Sequence, residues 1–183
     1  FKPNIIIVGA SAYSRDYDYA QFRELANKCG AILMADISHI SGFVATQLMN
    51  NPFEYCDIVT TTTHKTLRGP RAALIFSKKQ YSKSIDNAVF PGVQGGPHNN
   101  AIAASATQLK QVTTPNFKNY MLMVRNNARV LSNMLQLNGF KILTDGTDNH
   151  TILLDLSEFG VTGSKFERVC ELANISLNKN SVR

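Results

Sequence analysis

Three short runs of this chain are built from apolar or β-branched residues alone: Ile5 to Val8, Ile32 to Ala35 and Ile58 to Thr61. Each turns polar at its C-terminal edge, into Gly9-Ala10-Ser11, Asp36 and Thr62-Thr63-His64-Lys65. Strands apolar on both faces belong in a parallel sheet covered by helices, whereas the strands of a half-exposed antiparallel sheet alternate. Between the first two runs, Asp18 is placed to cap a helix over Tyr19 to Cys29. Phe22, Leu25, Ala26 and Cys29 share one face of it, and Gly30 ends it. Strand–helix–strand with continuous apolar strands predicts an α/β fold with a mostly parallel sheet. A fourth strand is expected over Ala72 to Phe76. Only about ten residues separate it from Thr61, and a parallel crossover needs a dozen or more. The last pair is therefore expected to be antiparallel.

The rest of the chain has another rhythm. Phe90 to Pro97 is rich in glycine and proline and reads as a loop. Ala101 to Gln111 reads as a helix, broken by Pro115. A long helix follows over Asn116 to Asn138, with Tyr120, Val124, Ala128, Leu131 and Leu135 down one side and Gly139 as its stop. Then come a strand (Phe140 to Leu143), a turn (Asp145-Gly146), a strand (Thr151 to Leu156), a helix opened by the capping box Ser164-x-x-Glu167, and a short strand (Ile175 to Leu177). This α+β pattern predicts one domain over residues 1–113 and part of a second over 114–183. Phe1 opens on the edge of a strand and Arg183 follows a motif-like run, so both ends are expected to be cuts in a longer chain.

Bulk properties narrow the class. The apolar share of 44% and charged share of 17% exclude a disordered chain. No run approaches the ~20 apolar residues of a membrane span. The net charge of +6 and pI of about 9.3 raise a nucleic-acid binder as one reading. The basic residues are scattered, however. There is no tryptophan and no basic run interleaved with aromatics, so no nucleic acid is expected as a partner. Cys29, Cys56 and Cys170 stand far apart, without metal-ligand spacing, which suits a reducing compartment and no metal.

The chemistry-bearing candidates sit where the strands end. Ligands of open α/β sheets bind outside the carboxyl ends of the strands. Asp36 is there, either as a ligand-facing carboxylate or as a plain cap for the turn that follows. Lys65 alone reads as a solvated loop lysine. The pair changes the reading. A lysine amine can form a Schiff base with an aldehyde cofactor, and pyridoxal phosphate also needs an acid against its pyridine nitrogen. His39, three residues after Asp36, could face the same ring. Ser11 follows the first strand. Gln94-Gly95-Gly96-Pro97 could present backbone amides to phosphate, or be an ordinary turn. Arg68 and Arg71 are phosphate ligands or surface charges.

Taken together, several runs resemble serine hydroxymethyltransferase: Ser11-Ala12-Tyr13-Ser14, Ala35 to Gly42, Thr60 to Arg71 (TTTTHKTLRGPR), Val89 to His98, Gly146 to His150, and Asn178-Lys179-Asn180. They cover almost the whole chain, and the TTTTHKT run is the most specific of them. The resemblance implies the large domain of a PLP-dependent transferase with the aspartate aminotransferase-like fold, plus the start of an α+β small domain. It implies that Lys65 holds pyridoxal 5'-phosphate covalently. Asp36 would pair with the ring nitrogen, and His39 and Ser11 would bond its phenolic oxygen. His64 would lie near the phosphate, and Thr62 and Arg71 would line the pocket. Gly95 and Gly96 would reach the cofactor phosphate of a partner subunit, and Asn180 would contact folate.

The implied activity is reversible retro-aldol transfer of the hydroxymethyl carbon of serine to tetrahydrofolate, leaving glycine. The implied assembly is a homodimer or homotetramer, and the implied location is cytoplasmic, with a mitochondrial form left open. Two departures stand out. Ala72-Ala73 follow Gly69-Pro70-Arg71 where the family usually has glycine. The family's chains are also more than twice as long, and their catalytic glutamate, ring-stacking histidine and substrate-carboxylate arginine have no counterpart here. This chain alone is therefore expected to bind the cofactor weakly and not to turn over serine. The competing readings are another PLP enzyme of the same fold and a catalytically dead partner of a complete enzyme.

Overall fold

The computed structural model of the chain describes residues 1–181. Two compact units are present, one of Phe1–Ser11 with Asp16–Met123, the other of Ala12–Arg15 with the residues from Val124 onward.

The first unit is built on a four-stranded sheet in the order β1 (Ile5–Val8), β2 (Ile32–Asp36), β3 (Ile58–Thr62), β4 (Ala73–Ser77). The first two pairings are parallel and the last is antiparallel, as the short β3–β4 connection requires. The parallel register sets Val8 beside Ala35 and Asp36 beside Thr60, so all three parallel strands end on one edge. Helix α1 (Tyr19–Cys29) makes the β1–β2 crossover. Asp18 caps it by accepting from the Gln21 amide at 3.0 Å, and Gly30 ends it in the left-handed conformation at φ 71°.

Tyr19, Ala26, Leu33, Ala35, Phe43 and Val59 are buried in this unit. Full burial of a side chain the size of Leu33 or Phe43 stabilises by roughly 1.5–3 kcal/mol. Short helix α2 (Ser41–Ala45) follows β2 and is almost wholly buried. At the C-terminal end of β1, a side chain on Gly9 would collide with the backbone oxygen of Asp36. That close approach is open only to glycine, and it draws the end of β1 against the end of β2.

Beyond β4 comes helix α3 (Lys79–Asn87), which its sequence barely announces: Tyr81 and Ile85 are its only apolar i,i+4 pair, and none of its residues is buried. It runs into a π-type turn over Ala88–Val93, where Phe90 leaves helical geometry. The loop expected from Phe90 thus begins as an ordered turn and becomes irregular only from Gln94. Helix α4 (Asn99–Val112) follows. Helix α5 (Pro115–Leu137) starts with Thr114 accepting from the Phe117 amide and Pro115 in its first turn.

The second unit departs more from expectation. Its two strands, β5 (Lys141–Ile142) and β6 (Leu154–Asp155), form an antiparallel pair much shorter than the runs Phe140 to Leu143 and Thr151 to Leu156. Thr144 and Asp145 adopt positive φ and end β5 early. The stretch before β6 bonds elsewhere: the Asp148 amide donates to Ser14 O and Asn149 Nδ2 to Tyr13 O. Arg15 completes this attachment with an ion pair to Asp148 at 3.1 Å.

The cap of helix α6 (Gly163–Leu172) lies two residues before the expected one. Thr162, not Ser164, accepts from the Lys165 amide. Glu167 is instead engaged by Lys179, whose Nζ donates to it at 2.9 Å. Ile175 to Leu177 forms no strand. Both end residues are exposed, and no described strand of the unit supplies a ladder for them.

Candidate functional site

The C-terminal ends of β2 and β3 converge because the two strands run parallel in direct register. Asp36 is the last residue of β2. One carboxylate oxygen accepts from the Ser38 amide at 2.9 Å, the other from Thr60 Oγ1 at 3.1 Å. Desolvation pulls its pKa upward, but the bonds from Ser38 and Thr60 and the nearby Lys65 charge together outweigh that and lower it. Asp36 is therefore firmly ionised at neutral pH while its side chain remains exposed. His39 lies in the turn after β2. Desolvation, then the Lys65 charge, lower its pKa against the opposing pull of Asp36, so the imidazole is neutral at pH 7.

Lys65 is exposed in the irregular stretch after β3. Its backbone is fixed from several sides. Thr66 Oγ1 accepts from the Gly42 amide at 2.9 Å and donates to His39 O at 3.1 Å. A β-carbon on Gly42 would stand 2.7 Å from Thr66 O, so only glycine lets α2 approach the lysine turn this closely. Thr63 Oγ1 donates to Pro70 O, and the Gly69 amide to Thr63 O, closing the turn at its base. Thr62 is held through its amide by Ser38 Oγ at 3.0 Å.

Two buried polar atoms at this edge have no partner among the described residues: Thr62 Oγ1 and His64 Nδ1. Arg71 lies 3.3 Å from His64 Nε2. A guanidinium can only donate, so Nε2 accepts and Nδ1 carries an unspent proton. A buried unsatisfied donor costs about 1–3 kcal/mol. Both atoms are thus available to a polar ligand at this edge.

The structure brings Asp36, His39, Thr62, His64 and Lys65 to one edge of the sheet, with Arg71 attached through His64. Ser11 stands exposed just past β1, the strand next to β2. Gly95 and Gly96 are exposed between the π-type turn and α4, with no atom of the described residues within 4 Å of a β-carbon built on either. Asn180 belongs to the second unit, where it is exposed and its Nδ2 donates to Asn178 O at 3.3 Å.

Sequence reasoning missed Ser38, Thr60 and Thr66, the hydroxyls that orient the carboxylate and the lysine turn. Only Thr60 carried a signal, its neighbouring-strand pairing with Asp36; Ser38 and Thr66 sit outside the strands and carried none. Cysteine chemistry is not offered nearby: burial pushes the Cys56 thiol up to about 11, and it stays protonated. Among the described residues no group of three or more metal-ligating side chains occurs, and no helix is long and apolar enough to cross a membrane.

The donor set fits pyridoxal phosphate. An exposed amine can hold its aldehyde carbon and an ionised carboxylate its ring nitrogen. A neutral imidazole flanks these, and unspent polar atoms remain for its oxygens. A family model described as serine hydroxymethyltransferase matches residues 1–183. Serine hydroxymethyltransferase 4 of Arabidopsis thaliana is 51% identical over all of this chain and 42% of its own length. The cytosolic serine hydroxymethyltransferase of Candida glabrata is 50% identical, again over 42% of its length, and the mitochondrial one of Kluyveromyces lactis is 49% identical over 39%. The chain thus spans about two-fifths of the length of the curated relatives it matches.

Proposed function

The chain belongs to the serine hydroxymethyltransferase family, and on that premise we propose that it carries the lysine-bearing part of a site that moves the hydroxymethyl carbon of serine to tetrahydrofolate, reversibly, leaving glycine. One observation carries the reading: ionised Asp36 ends β2 and exposed Lys65 follows the end of the neighbouring parallel β3, beside the unspent polar atoms of Thr62 and His64.

When bound, pyridoxal phosphate supplies an aldehyde carbon for an amine and a protonated ring that accepts the electrons released as a bond at the substrate's α-carbon breaks. Lys65 offers the amine. Asp36, held ionised by Ser38 and Thr60, keeps a proton on the ring nitrogen at neutral pH. His39 presents a neutral imidazole to the ring or its phenolic oxygen, with Ser11 as a second donor. Thr62 and His64 Nδ1 bind polar atoms of the cofactor, and Arg71 orients the His64 ring. Gly95 and Gly96 serve the phosphate of a partner subunit in a homodimer or homotetramer, and Asn180 serves the folate. The division into domains at 113/114 and a cytoplasmic location belong to the same proposal. The relatives include both cytosolic and mitochondrial proteins.

The test is chemical trapping. The protein is mixed with pyridoxal phosphate, reduced with borohydride and mapped by peptide mass spectrometry. The label is expected on Lys65 and is expected to vanish in Lys65→Ala. Serine cleavage by the intact natural protein should fall by about 10³-fold or more in that variant. A label elsewhere, undiminished by the substitution, overturns the assignment. Serine cleavage indifferent to tetrahydrofolate overturns the reaction.

A further inference from the structure

The turn that carries Lys65 ends in an unusual residue. Arg68 is not glycine, yet it holds φ at 59°, in the left-handed region that L side chains rarely adopt. Its amide donates to Lys65 O at 2.9 Å, so this left-handed residue closes the turn in which Lys65 sits. Such a conformation persists only where the surroundings over-determine it. Here the surroundings are α4 and the first turns of α5, both within the first unit.

From α4, Gln108 Nε2 donates to Leu67 O at 2.7 Å, and the Leu67 side chain is buried. From the first turns of α5, two aromatic rings receive the arginine itself. The Arg68 guanidinium carbon lies 4.3 Å from the centroid of Tyr120 and 5.4 Å from that of Phe117. The rings stand 6.0 Å apart, tilted by 45°. Both distances are within the range of cation–π attraction, which is electrostatic and favours arginine over a planar ring.

No carboxylate is paired with Arg68 among the ion pairs of the described residues. The charge is thus used on the rings and not on an acid. Arg68, Gln111, Thr114, Asn116, Phe117 and Tyr120 line the hollow around it.

We propose that Arg68 is a positioning residue for Lys65: stacked on Tyr120 and Phe117, its side chain anchors the left-handed turn that fixes the lysine backbone. This rests on the reading of Lys65 as the cofactor-holding amine. Arg68 does not touch the reacting atoms. Its effect passes through the Lys65 carbonyl and through the conformation of the residues between them.

The test uses the intact natural protein in its own oligomer, stripped of cofactor, with two readouts. One is the rate at which Lys65 captures pyridoxal phosphate, by borohydride trapping and peptide mapping. The other is amide hydrogen exchange over residues 65–68. Arg68→Gly keeps a backbone that accepts φ near 59° and removes only the side chain, and Tyr120→Leu removes the larger part of the platform while leaving Arg68 in place. Each is expected to slow capture at least fivefold and to speed exchange over residues 65–68 about tenfold, with global unfolding little changed. Tyr120→Phe keeps the ring face and should behave as the parent protein.

Parent-like capture and exchange in both Arg68→Gly and Tyr120→Leu overturns the proposal. So does a loss in Tyr120→Phe as large as in Tyr120→Leu, since that assigns the effect to the hydroxyl. If Lys65→Ala captures cofactor as well as the parent, the reading of Lys65 itself fails, and the role of Arg68 falls with it. That outcome is distinct from a failure of the brace alone.

Discussion

Two aspartates bracket the central strands of the sheet and meet opposite fates. Asp57 stands at the N-terminal end of β3. Arg23 reaches one of its oxygens at 2.7 Å, Lys78 the other at 2.7 Å, and the Leu33 amide adds a third bond at 2.9 Å. It is buried, and both of its oxygens are engaged. Asp36 stands at the C-terminal end of β2, exposed, with one amide and hydroxyls as its donors and only the longer-range charge of Lys65 nearby. Both carboxylates are held ionised. Only Asp36 remains free to meet a charged group from outside. The same sheet thus uses one aspartate to lock α1 and β4 onto its lower edge and keeps another available at its upper edge, where ligands of such sheets bind.

The comparison breaks if the two residues respond alike to the same change. In the role proposed for Asp36, Asp36→Asn leaves an amide that cannot keep the cofactor's ring nitrogen protonated. Activity of the intact protein should fall by about 10²-fold or more, with thermal unfolding moved only slightly, because the side chain is exposed. Asp57→Asn should do the reverse. It leaves Arg23 and Lys78 without their carboxylate and should cost about 3 kcal/mol in denaturant unfolding, with little effect on kcat once folded. A kinetic collapse in Asp57→Asn at unchanged stability would erase the distinction.

Acid sharpens it further. Burial alone would raise the Asp57 pKa, but the bonds from Lys78, Leu33 and Arg23 bring it from 3.8 down to about 2. A carboxyl whose pKa is lower in the folded state stabilises the fold fully above its unfolded value. That contribution is lost as pH falls from about 4 through 2. The loss is about 2 kcal/mol. Unfolding free energies measured across that window should show it in the parent chain and lack it in Asp57→Asn.

The sequence shows the upper edge better than the lower one. Apolar runs and their polar ends place Asp36 and Lys65, since strand direction alone carries both to one edge. The antiparallel β4 follows from a loop too short for a crossover. The Asp57 knot is not visible in this way. Arg23, Asp57 and Lys78 come from α1, the residue before β3 and the residue after β4, and no spacing along the chain marks them. Helix α3 escapes for lack of an apolar stripe. The strands expected after Gly139 shrink because the backbone of Asp148 and the side chain of Asn149 bond to Tyr13 and Ser14, residues more than a hundred positions earlier. Ser38, Thr60 and Thr66 look like ordinary strand and turn residues until the β2–β3 register sets Thr60 beside Asp36 and hydrogen bonds tie Ser38 to Asp36 and Thr66 to His39 and Gly42.

Thr60 gives the smallest and most specific test. Its hydroxyl is the one side-chain donor that β3 extends to Asp36 across the parallel pair. Thr60→Val keeps the β-branched shape the strand requires and removes only that donor. Ser38 and the Lys65 charge remain, so Asp36 stays ionised at neutral pH and activity there should hold within about threefold. The change should appear on the acid side. With one stabilising bond to the charged form gone, the Asp36 pKa moves back toward its ordinary value, and the acid limb of the pH–rate profile moves to higher pH. An unchanged acid limb would mean that Ser38 and Lys65 alone hold the carboxylate, and that the pairing of β2 with β3 serves the fold and not the site.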